Sequence, residues 1–205
     1  MRLQCISGRV AHTFSYDAEG RLSSTTPNGG GLWCYTYDAN GQRVRKAQVT
    51  QGTCAAPTQS TFVDYLYDLA GHQIAEVNSS GVWTRAEIYA GGRHLATYAG
   101  GASGVTYFNH ADWLGTERVR TDKTGVSCET ITSLPFGDAQ TTSGACGDPS
   151  PMHFTGKERD SESGLDNFGA RYDSSNLGRF MSPDAFYKDS HVGDPQSWNE
   201  YAYAK

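Results

Sequence analysis

The stretch Tyr35–Lys46, YTYDANGQRVRK, decides the fold. Tyr35, Thr36 and Tyr37 alternate, so both tyrosines fall on one face of an extended strand. Asp38 to Gly41 then supply a turn, because Asp and Asn bond locally to the backbone and Gly takes a positive φ. The run GQRVRKAQV leaves along a return strand in which Val44 alternates against charged neighbours. Such a unit is a β-hairpin, and the chain repeats it. FSYDAEGRLSS begins at Phe14, YLYDLAGHQIAE at Tyr65, and a degenerate copy, EIYAGGRHLAT, at Glu87. The Tyr-Asp pairs lie 21 and 30 residues apart, and 22 more lead to Tyr89-Ala90. Periods of this size mark repeated units that bury their faces only against neighbours.

The rest of the chain stays in the same class. NSSG at 78–81 is a further turn, and Gly115 and Gly125 punctuate a strand-turn-strand series that starts at Thr106. The expected fold is mainly β, an antiparallel hairpin meander or partial β-strip with a β-rich core and little helix. Residues 138–151, DAQTTSGACGDPSP, read as a flexible loop and the best internal boundary. The division expected is hairpin repeats over 1–105 and a core over 106–205. Composition agrees: 24 glycines and 12 tyrosines in 205 residues, but only 37% hydrophobic residues and a mean hydropathy of −0.57. A thin, repetitive sheet fits this better than a globule with a deep aliphatic centre.

A net charge of −5 with no basic run argues against nucleic acid as a partner. No apolar run approaches the roughly 20 residues of a membrane helix, and MRLQCISGRVAHTF lacks the apolar stretch of a secretory signal. The chain reads either as cytosolic or, preferably, as a piece of a longer protein. The five cysteines form no CxxC pair, so no structural zinc is expected. Cys34/Cys54 and Cys128/Cys146 each bracket a polar loop, as local disulfides would, leaving Cys5 over; five reduced thiols are the alternative.

Together these residues resemble the Rhs/YD-repeat family and its C-terminal Rhs-associated core. The units at 37–42 and 67–72 look like the YD repeats, and HADWLGTERVRTDKTG from His110 looks like a segment of the core. FTGKERDSESGLDNFGARYDSSNLGRFMSPD is similar to the family's most recognisable signature, and DPQSWNEYAYAK resembles the segment C-terminal to that signature. Tyr172 is followed by Asp173 where a second tyrosine is common, and Asn167 replaces a common aromatic. The resemblance implies a β-strip wound into a hollow shell that encloses or presents a toxic or variable C-terminal domain. It implies a secreted or cell-surface setting within a longer chain, and partners in the rest of the shell or in that domain. It also implies aspartate-dependent self-cleavage beyond a downstream Asp-Pro-x-Gly-Leu motif, with Asp184 and Arg179 matching residues of the cleaving core. That motif is absent here, since Asp194-Pro195 runs on into Gln-Ser, so self-cleavage is not expected.

The simplest role for Arg171 and Arg179 is pairing with aspartates to lock turns. A small hydrolase is the competing reading. No Gly-x-Ser-x-Gly or His-Glu-x-x-His occurs, but His110, Asp112 and Ser133 are candidates for a base, its orienter and a nucleophile. No cofactor or metal is expected, as neither GDAQTTSGACGD nor DSESGLDN has the ligand order of an EF-hand. The tyrosine stripe reads as cross-strand packing, with a sugar-binding platform as the alternative. A cut strip exposes strand edges, which invites self-association.

Overall fold

The computed structural model describes residues 3–5, 12–184, 191 and 193–203. Its architecture follows from one turn used again and again. At Asp17, Asp38, Asp68, Asn78, Asp112 and Asp122, the side-chain Oδ1 accepts from the backbone N–H groups two and four residues on, at 2.8–3.1 Å. The glycine three residues on donates its N–H back to the carbonyl of the first residue and has φ between 74° and 86°. Only glycine adopts that conformation without a Cβ clash, which is why Asp-x-x-Gly recurs. The degenerate copy has no aspartate and turns differently. Ala90 pairs with Arg93 across Gly91 and Gly92, both at positive φ, the two-residue hairpin that suits strand twist.

These turns join thirteen strands into one antiparallel meander in which every strand pairs with its sequence neighbours. They are β1 (Leu3–Cys5), β2 (His12–Tyr16), β3 (Leu22–Thr26), β4 (Leu32–Tyr37), β5 (Arg43–Gly52), β6 (Pro57–Tyr67) and β7 (Gln73–Asn78). The sheet continues through β8 (Trp83–Ala90), β9 (Arg93–Ala99), β10 (Val105–Ala111), β11 (Glu117–Thr121), β12 (Ser127–Thr132) and β13 (Thr141–Gly144). A second sheet of four short strands comes next: β14 (Glu158–Arg159), β15 (Asp166–Asn167), β16 (Tyr172–Ser174) and β17 (Arg179–Phe180). Helix is confined to three 3-10 turns among the described residues, and no helix there is long and apolar enough to cross a membrane. The sequence-based division at 105/106 falls inside the large sheet, where β9 pairs with β10. The stretch 138–151 contains β13 and feeds Asp148 and Ser150 into buried contacts.

The small sheet packs against one face of the strip. Phe14, Leu22 and Tyr35 of the strip meet Leu165 and Tyr172 of the small sheet in the apolar core. What else faces inward is governed by a β-bulge behind the Asp17, Asp38, Asp68 and Asp112 turns. Tyr16 pairs with Leu22 and Ser15 with Ser24; Tyr37 with Arg43 and Thr36 with Arg45. Tyr67 pairs with Gln73 and Leu66 with Ala75; Ala111 with Glu117 and His110 with Val119. One residue is skipped each time: Ser23, Val44, Ile74 and Arg118. The bulge turns a period of two into a step of three, so the second and fifth residues after the glycine share a face. The inward pairs are therefore Leu22 and Thr25, Arg43 and Lys46, Gln73 and Glu76, Glu117 and Arg120. This corrects the expectation for the return strand: Arg43 is 1% exposed, whereas Val44 is the skipped residue and only half-buried.

Both cysteine pairs are disulfides. Cys34 lies opposite Ala47, yet its Cα is 5.6 Å from that of Cys54, seven residues further along. A straight strand would put about 23 Å between Ala47 and Cys54. The β5–β6 hairpin instead curls back through two register shifts between Val49 and Gly52. Cys128 and Cys146 close the β12–β13 end, where the Ala145 and Cys146 N–H groups both reach the Cys128 carbonyl. Cys5 lies outside the residues whose side chains are described.

Candidate functional site

The inner face of the strip changes character from repeat to repeat, and the C-terminal segment supplies partners to several of its charged positions. The first repeat is apolar; the second presents Arg43 and Lys46. Opposite these stand Glu158, Asp160 and Glu162, alternate residues of KERDSES. Arg43 lies 2.5 Å from Asp160 and 3.1 Å from Glu158, and donates to the Tyr172 and Tyr65 hydroxyls. Its guanidinium sits over the rings of Tyr65, Tyr35 and Tyr172 at 4.9–5.9 Å. Lys46 Nζ reaches Asp160 at 2.9 Å and Glu158 and Glu162 at 3.4 Å. The Tyr35 hydroxyl donates to Glu162 and the Tyr65 hydroxyl to Glu158. Burial opposes the charge on Glu158, but Arg43, Lys46 and Arg85 outweigh it and hold the carboxyl at about 2. Burial and the neighbouring Asp160 instead push Glu162 up.

Two further clusters continue the seam. Glu87 accepts from Ser150 and Thr97, forms an ion pair with Arg85 at 2.7 Å and lies 2.7 Å from His94. Arg120, fully buried, pairs with Glu117, Glu129 and Asp148 at 2.6–2.7 Å and donates to the Ser150 carbonyl. His153 lies between Asp148 and Glu117; burial works against its charge, but those carboxylates raise its pKa. Buried charges survive only when paired in this way, so strip and C-terminal segment form one unit.

One buried carboxylate has no such support. Asp173 is 1% exposed, and neither of its oxygens has a hydrogen-bond partner. It stands directly opposite Asp166, whose own carboxylate is taken by Arg159 through two bonds of 2.9 and 2.6 Å. Burial, and then the Asp166 charge, push Asp173 up to about 6.

A cleft of about 750 Å³ opens between strip and small sheet at the end where the Asp38, Asp68 and Asp112 turns lie. Tyr89 stands in it between His72 and His94, with ring centroids at 4.6 and 5.0 Å. Lys157 lies over Phe168 at 5.7 Å.

The residues singled out on sequence have other partners. Asp184 pairs with Arg171 at 2.9 Å, as a turn lock would, and its N–H donates to the Glu200 carbonyl. Arg179 lies over the Tyr201 ring at 4.4 Å. His110 bonds Thr121 on the exposed side of β10 at 3.0 Å. Asp112 holds its turn and accepts from Arg118, whose other arm donates to the Ser133 hydroxyl at 3.1 Å. Asp112 and Ser133 are thus joined through the Arg118 guanidinium, while the His110 imidazole bonds Thr121. Among the described residues no group of three or more His, Cys, Asp or Glu side chains is arranged to hold a metal. The buried seam was missed on sequence, although the acids alternating at 158, 160 and 162 carried its signal.

A long antiparallel meander of aspartate-turn hairpins packed against a small C-terminal sheet defines a β-repeat fold. Residues 16–53 match the RHS Repeat family. The sequence matches none of the curated proteins. Among solved structures, the fold is similar to a Tc holotoxin pore of Photorhabdus luminescens carrying a TccC3 mutation, with TM-score 0.68 and 18% identity over 97% of this chain. It is also similar to complexes of TcdB2 with TccC3, with Cdc42 (TM-score 0.67, 17% identity) and without it (0.66, 17%), each over 93% of this chain. The chain spans about a tenth of the length of these proteins: 9%, 9% and 10%.

Proposed function

We propose that this chain is a structural segment of a larger RHS shell, the last turns of its wall together with the plug that seals them. The shell encloses or presents a C-terminal domain of a toxin or cell-surface protein. The observation that carries this is one of proportion: the fold match takes in nearly all of this chain and about a tenth of each matched protein. A wall segment also needs joining edges, and β1 and β13 each pair on one side only among the described residues. Those edges would meet the rest of the shell, or in its absence a second copy of the chain. The two disulfides fit a secreted or cell-surface setting. Asp184 and Arg179 are inert remnants of a self-cleaving core, and Asp184 here serves Arg171.

The test is to recover the protein from its source with an antibody against this chain, size it, and image it by electron microscopy. The expected result is a hollow particle far heavier than 22.2 kDa, with the purified chain keeping that mass on prolonged incubation. Recovery of a free 22.2 kDa monomer, or spontaneous cleavage of the purified chain, would overturn the reading.

A further inference from the structure

The cleft between strip and small sheet is a built polar site. Gln73 is 7% and Glu158 3% exposed, yet Gln73 Nε2 and Glu158 Oε2 have no hydrogen-bond partner, and neither does Asn109 Oδ1; all three residues line the cleft. Lys157 lines it too and forms no ion pair among the described residues, while burial alone pulls its pKa down. A buried polar group left unpaired costs free energy, so three such groups converging on one cavity, with the Lys157 ammonium beside them, call for an occupant. At about 750 Å³ the cavity lies in the range of small-molecule sites.

The mixture of groups selects the chemistry. Gln73 and Lys157 are donors; Asn109 and Glu158 are acceptors. An apolar ligand would leave all four unpaired. An anion would face Glu158, and a cation would face Lys157. A hydroxyl both donates and accepts, so a neutral ligand dense in hydroxyls satisfies every group with one functional group. Such a ligand also needs a flat apolar surface for its C–H faces. Trp113, at the cleft mouth, is 91% exposed, and Tyr89 stands deeper in the cleft. We infer that this cleft binds a short neutral oligosaccharide, stacked on Trp113 at the mouth and hydrogen-bonded inside by Gln73, Asn109, Lys157 and Glu158.

The experiment is calorimetric titration of the whole chain with neutral trisaccharides of glucose, mannose, galactose and N-acetylglucosamine, with a charged trisaccharide and a neutral tripeptide as comparisons. At least one neutral trisaccharide should bind with a sub-millimolar Kd. Trp113→Ala should weaken it at least about tenfold, the order expected for truncating a large aromatic contact. Trp113 is too exposed for that change to unfold the protein. Gln73→Leu, with its fold checked by circular dichroism, should weaken binding comparably, whereas Leu69→Ala, at another exposed turn, should leave it unchanged. No binding across the neutral panel at millimolar concentration, preference for the tripeptide or the charged sugar, or affinity indifferent to both Trp113→Ala and Gln73→Leu would overturn the inference.

Discussion

Replacing Asp173 by Asn tests whether a buried carboxylate is carried in the small sheet at the expense of stability. Asn has the shape of a protonated aspartic acid and never ionises. In the folded chain the Asp173 carboxyl titrates at about 6, against an ordinary value of about 3.9 when unfolded. Below both values it is protonated in each state and the shift contributes nothing. Between them the folded state holds a proton that the unfolded state has released, so stability falls as pH rises. Above about 6 the full difference of roughly two pH units applies, about 3 kcal/mol against the folded state. The variant lacks this loss. Any constant effect of placing an amide opposite Asp166 is removed by following the difference between the two proteins across pH. Other titrating groups, His153 among them, act in both proteins and cancel wherever they do not couple to Asp173.

The assay is urea unfolding of both proteins from pH 4 to pH 8. The variant should gain about 2–3 kcal/mol on the wild type over that range, most of it between pH 4 and pH 6. A difference that stays flat to within about 0.5 kcal/mol would refute the account, and would mean that the Asp173 oxygens are solvated or paired.

Arg43→Met should destabilise the fold by about 3–5 kcal/mol, because Glu158 and Asp160 are left buried without their principal cation. Arg45→Met, two residues away, breaks a half-exposed pair with Asp64 and should stay within about 1 kcal/mol. Equal shifts in urea midpoint for the two would contradict the inward placement of Arg43. Asp38→Ala removes an acceptor for two backbone N–H groups and should lose about 1–2 kcal/mol in thermal or urea unfolding, while Asp38→Asn should retain most of the stability. An alanine variant as stable as the wild type would show that Gly41 alone makes the turn.

The hairpins were legible because everything that makes the turn lies within five residues. Aspartate supplies two acceptor contacts, glycine supplies the positive φ, and neither depends on the rest of the chain. The order of strands came with them, since a meander of short turns leaves each strand no neighbour but the next. The plug was not legible in the same way. Arg43 and Asp160 are 117 residues apart, and no local preference of either stretch announces the other. The partners of Asp112 and Asp184 were hidden for a related reason: residue type and proximity in sequence do not say which guanidinium arrives first, and it is Arg118 that reaches Asp112 and Arg171 that reaches Asp184.

The misreading of Val44 has a more specific cause, and it shows how the seam could be read in the sequence of another such repeat. Strict alternation after the turn places Val44 inward and Arg43 and Arg45 outward, which is the arrangement any amphipathic strand would favour. The bulge behind the glycine removes one residue from the alternation. At the Asp17, Asp38, Asp68 and Asp112 turns, which share one end of the strip, the inward positions become the second and fifth after the glycine, Leu22 and Thr25, Arg43 and Lys46, Gln73 and Glu76, Glu117 and Arg120, whereas at the Asp122 turn of the other end these positions, Ser127 and Thr130, face outward. Opposite the fifth stands the residue three before the aspartate: Phe14, Tyr35, Tyr65 and Asn109. Two of those pairs carry a charge facing a tyrosine, and a third sets Arg120 opposite Asn109. Charge at these positions is costly to bury, so it is retained only where a partner of opposite sign arrives from elsewhere. The inward column thus reads apolar, positive, neutral-to-acidic, then mixed. The C-terminal segment meets the first with Leu165, the second with the Glu158–Glu162 acids and the fourth with Asp148 and His153, while in the third Glu76 is paired within the strip by Arg85. A wall whose inner face were solvated would have no need of that correspondence, and its presence is the physical reason the strip and the plug fold as one body.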